Sequence, residues 1–201
     1  MKRREHSDHS RVFDKPGQTQ LYYSRHRKRK ESLSRNIVRR LKELGFAGGK
    51  LLDAGCGYGI YSIEIAKYFP DCTVTATDLS EPMLELGRTL AAEHGVSERV
   101  QFIKDDVQQM SFTDGFFDAV ISINMLHHVK RPDAMLNESV RVLKHDGILL
   151  MHDVRRNWLG YFIHPYDSGF TAPEVCNLIS TTKLKNCTVN SGFLWLRIEK
   201  S

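Results

Sequence analysis

Three glycines at alternate positions, directly after a short apolar run, constrain this chain more than any other feature. The segment reads LLDAGCGYGI over residues 51–60, and a helical pattern of apolar residues follows it. This order predicts a buried strand, a tight turn and a helix whose positive end faces the turn. Glycines in such a turn let a ligand approach the backbone and let the backbone amides reach that ligand. The segment therefore predicts a ligand site between the first strand and the helix after it.

Strand and helix patterns alternate through the rest of the chain. The predicted strands are KLLDAG, CTVTATD, RVQFIKDD, FFDAVIS and ILLMHD. The predicted helices are ESLSRNIVRRLKELG, which follows a polar loop DKPGQTQ, then GIYSIEIAKYFP, EPMLELGRTLAAEHG, RPDAMLNESVRVLKHDG and TAPEVCNLIS. Two final β-rich runs, NCTVN and FLWLRIE, predict an antiparallel hairpin. This alternation predicts a mostly parallel α/β sheet with helices on both faces, whose ligands bind beyond the carboxyl ends of the strands.

Length and cysteine usage narrow the class of protein. A chain of 201 residues suits one well-buried core and is short for two, so we expect a single domain. The chain has no apolar run of 18 residues, and its first residues, MKRREHSDHS, lack the apolar segment of a secretory signal. Its four cysteines form no CxxC pair and show no metal-ligand spacing. We therefore expect a cytoplasmic protein with no membrane partner and no metal.

Charge is distributed unevenly along the chain. Residues 1–42 hold 14 of the 29 Lys and Arg but only four of the 24 Asp and Glu, so they carry a net charge near +10. A basic arm of this kind fits an anionic partner such as nucleic acid or an anionic small substrate. It equally fits the solvated face of an amphipathic helix, since Leu33, Ile37, Leu41 and Leu44 recur at helical spacing. Both interpretations stay open at this point.

The glycine spacing and three acidic residues indicate which ligand to expect. A dinucleotide fingerprint reads G-x-G-x-x-G, whereas here Ile60 stands where the last glycine would fall. Asp53, Asp78 and Asp106 each follow a predicted strand, and together they would surround the pocket with negative charge, which repels a pyrophosphate and suits a cation. A carboxylate after the second strand can also accept hydrogen bonds from both hydroxyls of a ribose. Each acid alone fits a loop or a helix N-cap equally well.

Five segments, in order, resemble the motifs of one family. They are LLDAGCGYG, TATDLSEPML, KDDVQQMSF, FDAVISINMLHHV and LNESVRVLKHDGILL, and they span about residues 48–155. The chain resembles the class I S-adenosylmethionine-dependent methyltransferases, in the branch that modifies small molecules (methyltransferase domain types 11/25). The resemblance implies a Rossmann-like, doubly wound α/β/α sandwich with seven strands in the order 3-2-1-4-5-7-6 and strand 7 antiparallel. It also implies methyl transfer to a small-molecule acceptor, with S-adenosyl-L-methionine as cofactor and S-adenosyl-L-homocysteine as product.

The resemblance implies a division of the chain and a set of contacts to the methionine part of the cofactor. It places a basic arm and helix at 1–46, the cofactor-binding core at 47–155, and a substrate-side segment with the hairpin at 156–201. The backbone of Gly55, Cys56 and Gly57 would approach the methionine part, with Asp53 near its amino group. The backbone of Asn124, just past the fourth strand, would face the same end.

The adenosine part of the cofactor has its own set of implied contacts. Asp78 would hold the ribose hydroxyls, and Asp106 would accept a hydrogen bond from the adenine amino group, with the backbone amide of Val107 beside it. Asp105 is the rival to Asp106, and alignment on the family pattern favours Asp106. The residues expected to line the adenine are Leu79 and Met83.

Catalytic and substrate contacts are implied with less detail. His127 and His128 follow the fourth strand, where acceptors bind in this family, and imidazole titrates in the range that suits a general base. The resemblance favours a structural role for His128 and leaves a substrate-facing role open for His127. Tyr22 and Tyr23, expected ahead of the first helix, would close the site or pack on the core. The other residues expected on the substrate side are Arg155, Trp158 and Tyr166.

Other functions stay open on the sequence alone. The basic arm fits an RNA or protein methyltransferase, and the uncertain catalytic residues fit a protein that binds S-adenosylmethionine without turnover. A nicotinamide oxidoreductase is a third alternative. The sequence leaves open the acceptor, the atom that is methylated and the oligomeric state.

Overall fold

The computed structural model describes residues 17–156 and 169–201, which include a seven-stranded sheet. The strand order is β3-β2-β1-β4-β5-β7-β6, and β7 runs antiparallel to both β5 and β6. Both the order and the terminal hairpin confirm the predictions. The strands are β1 Gly49–Ala54, β2 Cys72–Asp78, β3 Val100–Lys104, β4 Phe117–Ile123, β5 Leu143–Val154, β6 Thr188–Ser191 and β7 Trp195–Lys200.

Helices cover both faces of the sheet because successive side chains of its central strands point to opposite faces and are apolar on both. Leu51 and Leu52 of β1 are each fully buried, yet they belong to separate core clusters on opposite faces. The first three helices pack on the face of Leu51, and the last two pack on the face of Leu52. The helices are α1 Gln18–Glu43, α2 Ile60–Tyr68, α3 Glu81–Glu93, α4 Pro132–Val142 and α5 Ala172–Ser180.

The predicted start of the first helix is wrong. Gln18 to Gln20 were expected in a loop, but they form the first residues of α1, so Tyr22 and Tyr23 lie within the helix and not ahead of it. Tyr23 packs edge-on against Tyr58, with the ring centroids 5.2 Å apart. This tertiary contact explains why the segment is helical although it has no apolar periodicity of its own.

The predicted end of the fourth helix is also wrong. The helical pattern was expected to continue to Gly147, but α4 ends at Val142 and Leu143 already pairs with Phe117 of β4. Both side chains are buried in the core. Sheet pairing of the two residues therefore overrides the helical pattern of the local sequence.

The C-terminal half of α1 is fixed to the sheet by a buried ion pair. Arg40 donates to both carboxylate oxygens of Glu199 in β7, from Nε at 2.7 Å and from Nη2 at 2.8 Å. Ile37 and Leu41, predicted as part of the apolar face, are fully buried beside it. By contrast, no residue from 18 to 33 is buried. The N-terminal half of α1 is therefore held by far less buried surface than the C-terminal half.

The described residues contain neither a helix that could span a membrane nor a cluster of metal ligands. None of the helices in residues 17–156 and 169–201 has the length and apolar character needed to cross a membrane. The same residues contain no group of three or more His, Cys, Asp or Glu that could hold a metal ion.

Candidate functional site

The three glycines after β1 serve two different purposes, close packing at Gly55 and Gly59 and open space at Gly57. All three have positive φ, at 79° for Gly55, 57° for Gly57 and 70° for Gly59. An added Cβ at Gly55 would clash with the side chain of Met125, and one at Gly59 would clash with the ring of Phe102. At Gly57, apart from the adjacent residues of the chain, the only atom of residues 17–156 and 169–201 within 4 Å of such a Cβ is the Nζ of Lys30, at 3.9 Å. Gly57 is therefore the glycine beside which space is left for a ligand.

The backbone amides of this loop already have partners within the protein. Gly55 and Cys56 donate to the carbonyl oxygen of Thr77, at 2.9 and 2.8 Å. Gly57 donates to Oδ2 of Asp78 at 2.8 Å. That the backbone of this loop approaches a ligand stays a prediction. Three of its amides already donate within the protein, so the loop offers fewer donors to a pyrophosphate, which argues against a dinucleotide.

Asp78, at the end of β2, is held in place by two backbone amides. Its Oδ2 accepts from Gly57, and its Oδ1 accepts from the amide of Ser80 at 3.0 Å. Burial raises the pKa of Asp78, although these two hydrogen bonds and the charge of Lys30 oppose the shift. The carboxylate is thus fixed at the edge of the glycine loop, and each of its oxygens keeps a lone pair that can accept a hydrogen bond from a ligand.

Asp53, at the end of β1, is buried almost completely, with 1% of its surface exposed. Its Oδ2 accepts from the Oγ of Ser62 at 2.6 Å, while its Oδ1 has no partner. Burial raises the pKa of Asp53 to about 6, against the opposing effects of Ser62 and Lys30. A buried carboxylate oxygen without a donor is costly unless a ligand supplies one.

Other orphaned polar atoms lie near the same loop. The hydroxyl groups of Tyr58, Tyr61 and Ser80 are buried and have no hydrogen-bond partner among the residues that the structure describes. Burial raises the pKa of each tyrosine above its usual range, so both hydroxyls stay protonated and act as donors. Unsatisfied groups gathered at one site indicate a polar ligand.

The end of β3 separates the two rival acids. Asp106 accepts at Oδ1 from the backbone amide of Gln108 at 2.9 Å and from its Nε2 at 3.1 Å. Asp105 accepts at Oδ2 from the amide of Ser111 at 3.1 Å, which fixes it within its own loop. That Asp106 accepts a hydrogen bond from the adenine amino group therefore stays a prediction.

Three neighbouring residues expected at the adenine differ in exposure. Leu79 is 39% exposed, which is unusual for a leucine directly after a buried strand. Met83 and Val107 are buried in the two core clusters. Leu79 thus offers an apolar surface to a ligand, whereas Met83 has almost none to offer and Val107 was expected to act through its backbone.

His127 and His128 lie between β4 and α4, in different surroundings. Buried Asp153, at the end of β5, accepts from the backbone amide of His127 at 3.1 Å and also contacts the Nδ1 of its ring. Burial alone would raise the pKa of Asp153, but the contact with His127 outweighs it and lowers the pKa. His128 is exposed, and its ring lies 3.8 Å from that of His127 between centroids. The buried member of the pair is therefore His127.

A cavity of about 420 Å³ lies between α1 and the ends of β4, β5 and β7. Asn124 reaches it from a left-handed backbone conformation, with φ at 56°, and strain of this kind concentrates at functional sites. Its walls combine apolar side chains with amide, hydroxyl, imidazole and charged groups. They are formed by Arg29, Ser32, Leu33, Asn36, Asn124, His152, Asp153, Val154, Leu194 and Trp195.

The cavity does not include every residue expected on the substrate side. The Nη1 of Arg155 donates to the carbonyl oxygen of Gly192 at 2.8 Å, so Arg155 supports the turn between β6 and β7. Tyr22 and Tyr23 lie beside Tyr58, next to the glycine loop. Trp158 and Tyr166 lie outside the described residues.

Sequence reasoning missed several residues at these sites, and four of them show why. Lys30 gave no signal, because it stands in the basic run RHRKRK, where any cation looks solvated. His152 and Trp195 fall inside strands, and only the three-dimensional structure brings them to the cavity. Asp153 could have been found, since it follows a buried strand just as Asp53 and Asp78 do.

Comparisons with known proteins agree with this geometry. Residues 52–151 match the family model described as a methyltransferase domain. A sterol 24-C-methyltransferase of Neurospora crassa is 38% identical over 98 residues, which are 49% of this chain and 26% of that protein. A ubiquinone biosynthesis O-methyltransferase of Psychrobacter arcticus is 31% identical over 159 residues, which are 75% of this chain and 61% of that protein. The crystal structure of the cyclase SpnF is 25% identical and superposes with a TM-score of 0.68, over 80% of this chain and 58% of that one.

The fold and the site define a Rossmann-like α/β protein that binds a nucleoside cofactor. The chain belongs to the class I S-adenosylmethionine-dependent methyltransferases. It spans about a quarter of the length of the sterol methyltransferase and about three fifths of the ubiquinone enzyme. The cofactor of this family is S-adenosylmethionine, and the residues present fit it. Asp53 has an unpaired oxygen for a cation, Asp78 stands at the second strand end, and Leu79 offers an apolar surface.

Proposed function

We propose that this chain, as a single domain, transfers a methyl group from S-adenosylmethionine to a small molecule bound in the cavity beside α1. The observation that carries the proposal is the position of two consecutive residues after β4. Met125 packs over Gly55 of the glycine loop, and Asn124 lines the cavity. A cofactor at the loop and an acceptor in the cavity would therefore meet at this one segment.

The charges of Asp53 and Asp78 indicate which part of the cofactor each of them would bind. The unpaired oxygen of Asp53 suits the amino group of the cofactor's methionine part, and the fixed carboxylate of Asp78 suits the ribose hydroxyls. When bound, S-adenosylmethionine supplies a methyl group on a positively charged sulfur. The negative charges of Asp53 and Asp78 suit that cation better than they would suit a pyrophosphate.

The chain itself would align the acceptor, exclude water and take up a proton where the acceptor carries one. Leu33, Leu194 and Trp195 supply apolar walls that keep water from the reacting atoms. Asp153 contacts the Nδ1 of His127, which leaves Nε2 as the basic atom of the ring. His127 is therefore our candidate for the general base, with Asp153 as its positioning residue. Exposed His128 is a weaker candidate.

Acceptors of different shape occur among the relatives, so the cavity is the better guide to the substrate. A volume of about 420 Å³ with polar groups on several sides fits a compact molecule that bears hydroxyl or amino groups. Burial and the charge of Arg197 lower the pKa of His152 to about 4, so this cavity residue stays neutral near pH 7. We infer a polar small molecule in preference to a long lipid.

Methylation of RNA or protein is the second candidate, because α1 presents a row of exposed cations. Arg25, Lys28 and Arg35 are exposed, and exposed Arg39 lies 3.9 Å from Glu43. Such a row fits a phosphate backbone. If nucleic acid is the partner, binding of bulk RNA weakens steeply as the salt concentration rises.

The proposal is tested first by calorimetric titration with S-adenosylmethionine, S-adenosylhomocysteine and NAD. We expect the two sulfur ligands to bind and NAD not to bind. The protein is then incubated with S-adenosylmethionine and, separately, a hydroxybenzoate series, a sterol or bulk RNA, while S-adenosylhomocysteine release is followed by mass spectrometry. Release with the hydroxybenzoates supports the proposal. Release with RNA alone supports the second candidate, and cofactor binding without release with any acceptor supports a binding protein or, by analogy with SpnF, other chemistry on this fold.

A further inference from the structure

The imidazole of His152 forms part of the cavity wall, next to the segment where cofactor and acceptor would meet. His152 belongs to β5 and is 8% exposed. Its carbonyl oxygen accepts a hydrogen bond from the backbone amide of Asn124 at 2.7 Å, and both residues line the cavity. Met125, the next residue along the chain, packs over the glycine loop. The main chain therefore fixes His152 beside this segment, while its side chain contributes to the wall.

The ring of His152 lacks a hydrogen bond that a buried imidazole normally makes. Its Nδ1 is buried and has no partner within the part of the chain that the structure describes. The indole of Trp195 stacks on the ring, with the centroids 5.7 Å apart and an angle of 24° between the planes. This stacking orients the imidazole but satisfies neither nitrogen. A buried polar side chain held in this way on a cavity wall indicates a partner that arrives with a ligand.

The charges around His152 indicate which kind of group that partner is. Burial and the charge of Arg197 lower the pKa of His152 to about 4, and the charge of Asp153 opposes the shift. The ring is therefore neutral near pH 7, with one donor nitrogen and one acceptor nitrogen. A charged ligand group at this place would be attracted by Arg197 or Asp153 and repelled by the other. A hydroxyl group is uncharged and both donates and accepts, so it fits the ring in either tautomer.

We propose that His152 is a specificity-determining residue, which hydrogen-bonds a hydroxyl group of the acceptor other than the group that is methylated. This inference rests on the proposed function, because it assumes a small acceptor in the cavity. An imidazole that resists protonation is a weak base, so its task differs from that of His127, the candidate general base. The substrate class is then a compact molecule with the methylated group at one position and a free hydroxyl group at another.

The test compares acceptors that differ by one hydroxyl group. The isomeric dihydroxybenzoates, and the monohydroxybenzoates that lack one of their hydroxyl groups, are each incubated with S-adenosylmethionine. The value of kcat/KM is obtained from the release of S-adenosylhomocysteine. Aminobenzoates and mercaptobenzoates complete the set, because they offer an atom to methylate but no hydroxyl group. The readout is the ratio of kcat/KM for a dihydroxybenzoate to that for its monohydroxy counterpart.

Four variants are compared with the parent protein. His152→Phe keeps a planar ring and His152→Leu keeps a similar volume, but neither forms a hydrogen bond. His152→Asn keeps a polar group near the position of Nδ1. His145→Phe is the matched control, because His145 lies on the same strand with a side chain that is 98% exposed. Calorimetric titration of each variant with S-adenosylhomocysteine checks that the fold and the cofactor site are intact.

We expect the parent protein to prefer at least one dihydroxybenzoate over its monohydroxy counterpart by roughly tenfold or more. The reason is that an acceptor without the hydroxyl group leaves the buried ring unpaired. In His152→Phe and His152→Leu the ratio should fall to within about threefold of unity. His152→Asn should restore most of the preference, and His145→Phe should leave it unchanged. Binding of S-adenosylhomocysteine should change by less than about threefold in all of these variants.

Four results would overturn the inference while the proposed function stands. The first is a parent protein that methylates dihydroxy and monohydroxy acceptors equally well. The second is a preference that persists in His152→Phe and His152→Leu. The third is an equal loss for both kinds of acceptor in these variants, which would mean that His152 only packs against Trp195. The fourth is turnover of aminobenzoates or mercaptobenzoates without turnover of any hydroxybenzoate. If the parent protein methylates no small acceptor, the proposed function fails, and the inference fails with it.

Discussion

Asp153 at the end of β5 accepts a hydrogen bond from the backbone amide of His127 and contacts the ring of the same residue at Nδ1. One carboxylate thus fixes both the main chain and the tautomer of a histidine on the neighbouring strand end. Such an arrangement is costly in a buried position unless both partners are present, because a buried carboxylate without a donor is destabilising. It also orients Nε2 as the basic atom, which is what a general base requires.

The first prediction concerns this pair. Asp153→Asn should reduce the rate of methyl transfer to a protonated acceptor roughly a hundredfold or more, since the ring of His127 loses the group that fixes its tautomer. Binding of S-adenosylhomocysteine should change by less than about threefold, because Asp153 lies outside the glycine loop. Steady-state release of S-adenosylhomocysteine and calorimetric titration measure the two effects. His128→Gln is the control and should leave turnover nearly unchanged; a larger loss there than in Asp153→Asn would refute the assignment of the base.

A second prediction separates the acids at the strand ends. Asp78→Asn should weaken binding of S-adenosylhomocysteine, because each hydrogen bond to the charged carboxylate contributes roughly 1.5–3 kcal/mol. Asp105→Asn serves as the control, since the Asp105 carboxylate bonds to Ser111 within its own loop. Calorimetry on both variants checks the difference. Equal affinity of the parent protein and Asp78→Asn would show that the ribose contact is wrongly assigned.

The third prediction follows from the different surroundings of two glycines. Gly59→Ala should destabilise the fold strongly, because its Cβ would clash with the buried ring of Phe102 and the backbone has a φ of 70°. Gly57→Ala faces open space, so it should cost only the roughly 1–2 kcal/mol of left-handed backbone strain. Its main effect should be loss of cofactor affinity. Urea denaturation and calorimetry distinguish the two, and similar unfolding midpoints for both variants would contradict the prediction.

A fourth prediction concerns the pair that anchors α1. Arg40→Met should lower the free energy of unfolding by roughly 3 kcal/mol at pH 7, since it leaves the buried carboxylate of Glu199 without its main partner. Burial alone would raise the pKa of Glu199, but the hydrogen bonds and charge of Arg40, together with those of Arg197, outweigh burial and hold the pKa below the ordinary value of 4.5. The stabilisation is therefore fully present above pH 4.5 and is lost as the pH falls through the lower value of the folded state.

Urea denaturation at pH 7 and at a series of pH values descending from 4.5 measures this effect. The difference between Arg40→Met and the parent protein should shrink as the pH falls and Glu199 becomes protonated. The matched control is Arg39→Met, because Arg39 is 72% exposed and lies 3.9 Å from Glu43. That variant should change stability by less than about 0.5 kcal/mol. A difference for Arg40→Met that does not depend on pH would show that packing alone accounts for it.

The alternation of strands and helices and the terminal hairpin were predictable from periodicity, whereas the strand order was predictable only through the family resemblance that the five ordered motifs carry. Leu51 and Leu52 illustrate why: a strand buried on both faces must be apolar at successive positions, and that pattern is local. The ends of α1 and α4 were not predictable in this way. Each is decided by a distant partner, Tyr58 for the start of α1 and Phe117 for the end of α4.

The same distinction applies to the site. Asp53, Asp78 and Gly57 follow strands directly, so the topology alone brings them to one edge of the sheet. The surroundings of Gly59 and Lys30 depend on side chains far away in the sequence, Phe102 and Tyr58. No local pattern encodes a contact of that kind, so the sequence did not predict that Gly55 and Gly59 of the opening motif make room for the side chains of Met125 and Phe102.

Helix α1 forms part of both sites. Lys30 faces the glycine loop, while its neighbours Arg29 and Leu33 line the cavity on the other side of Asn124. The stretch that carries them has no buried residue before Ser34, so little free energy opposes its local displacement. A ligand that orders this stretch at one site therefore also orders the wall of the other site. Each ligand then raises the affinity of the protein for the other ligand. We therefore expect each ligand to lower the apparent Kd of the other by the same factor, which calorimetric titration of either ligand with and without the other measures.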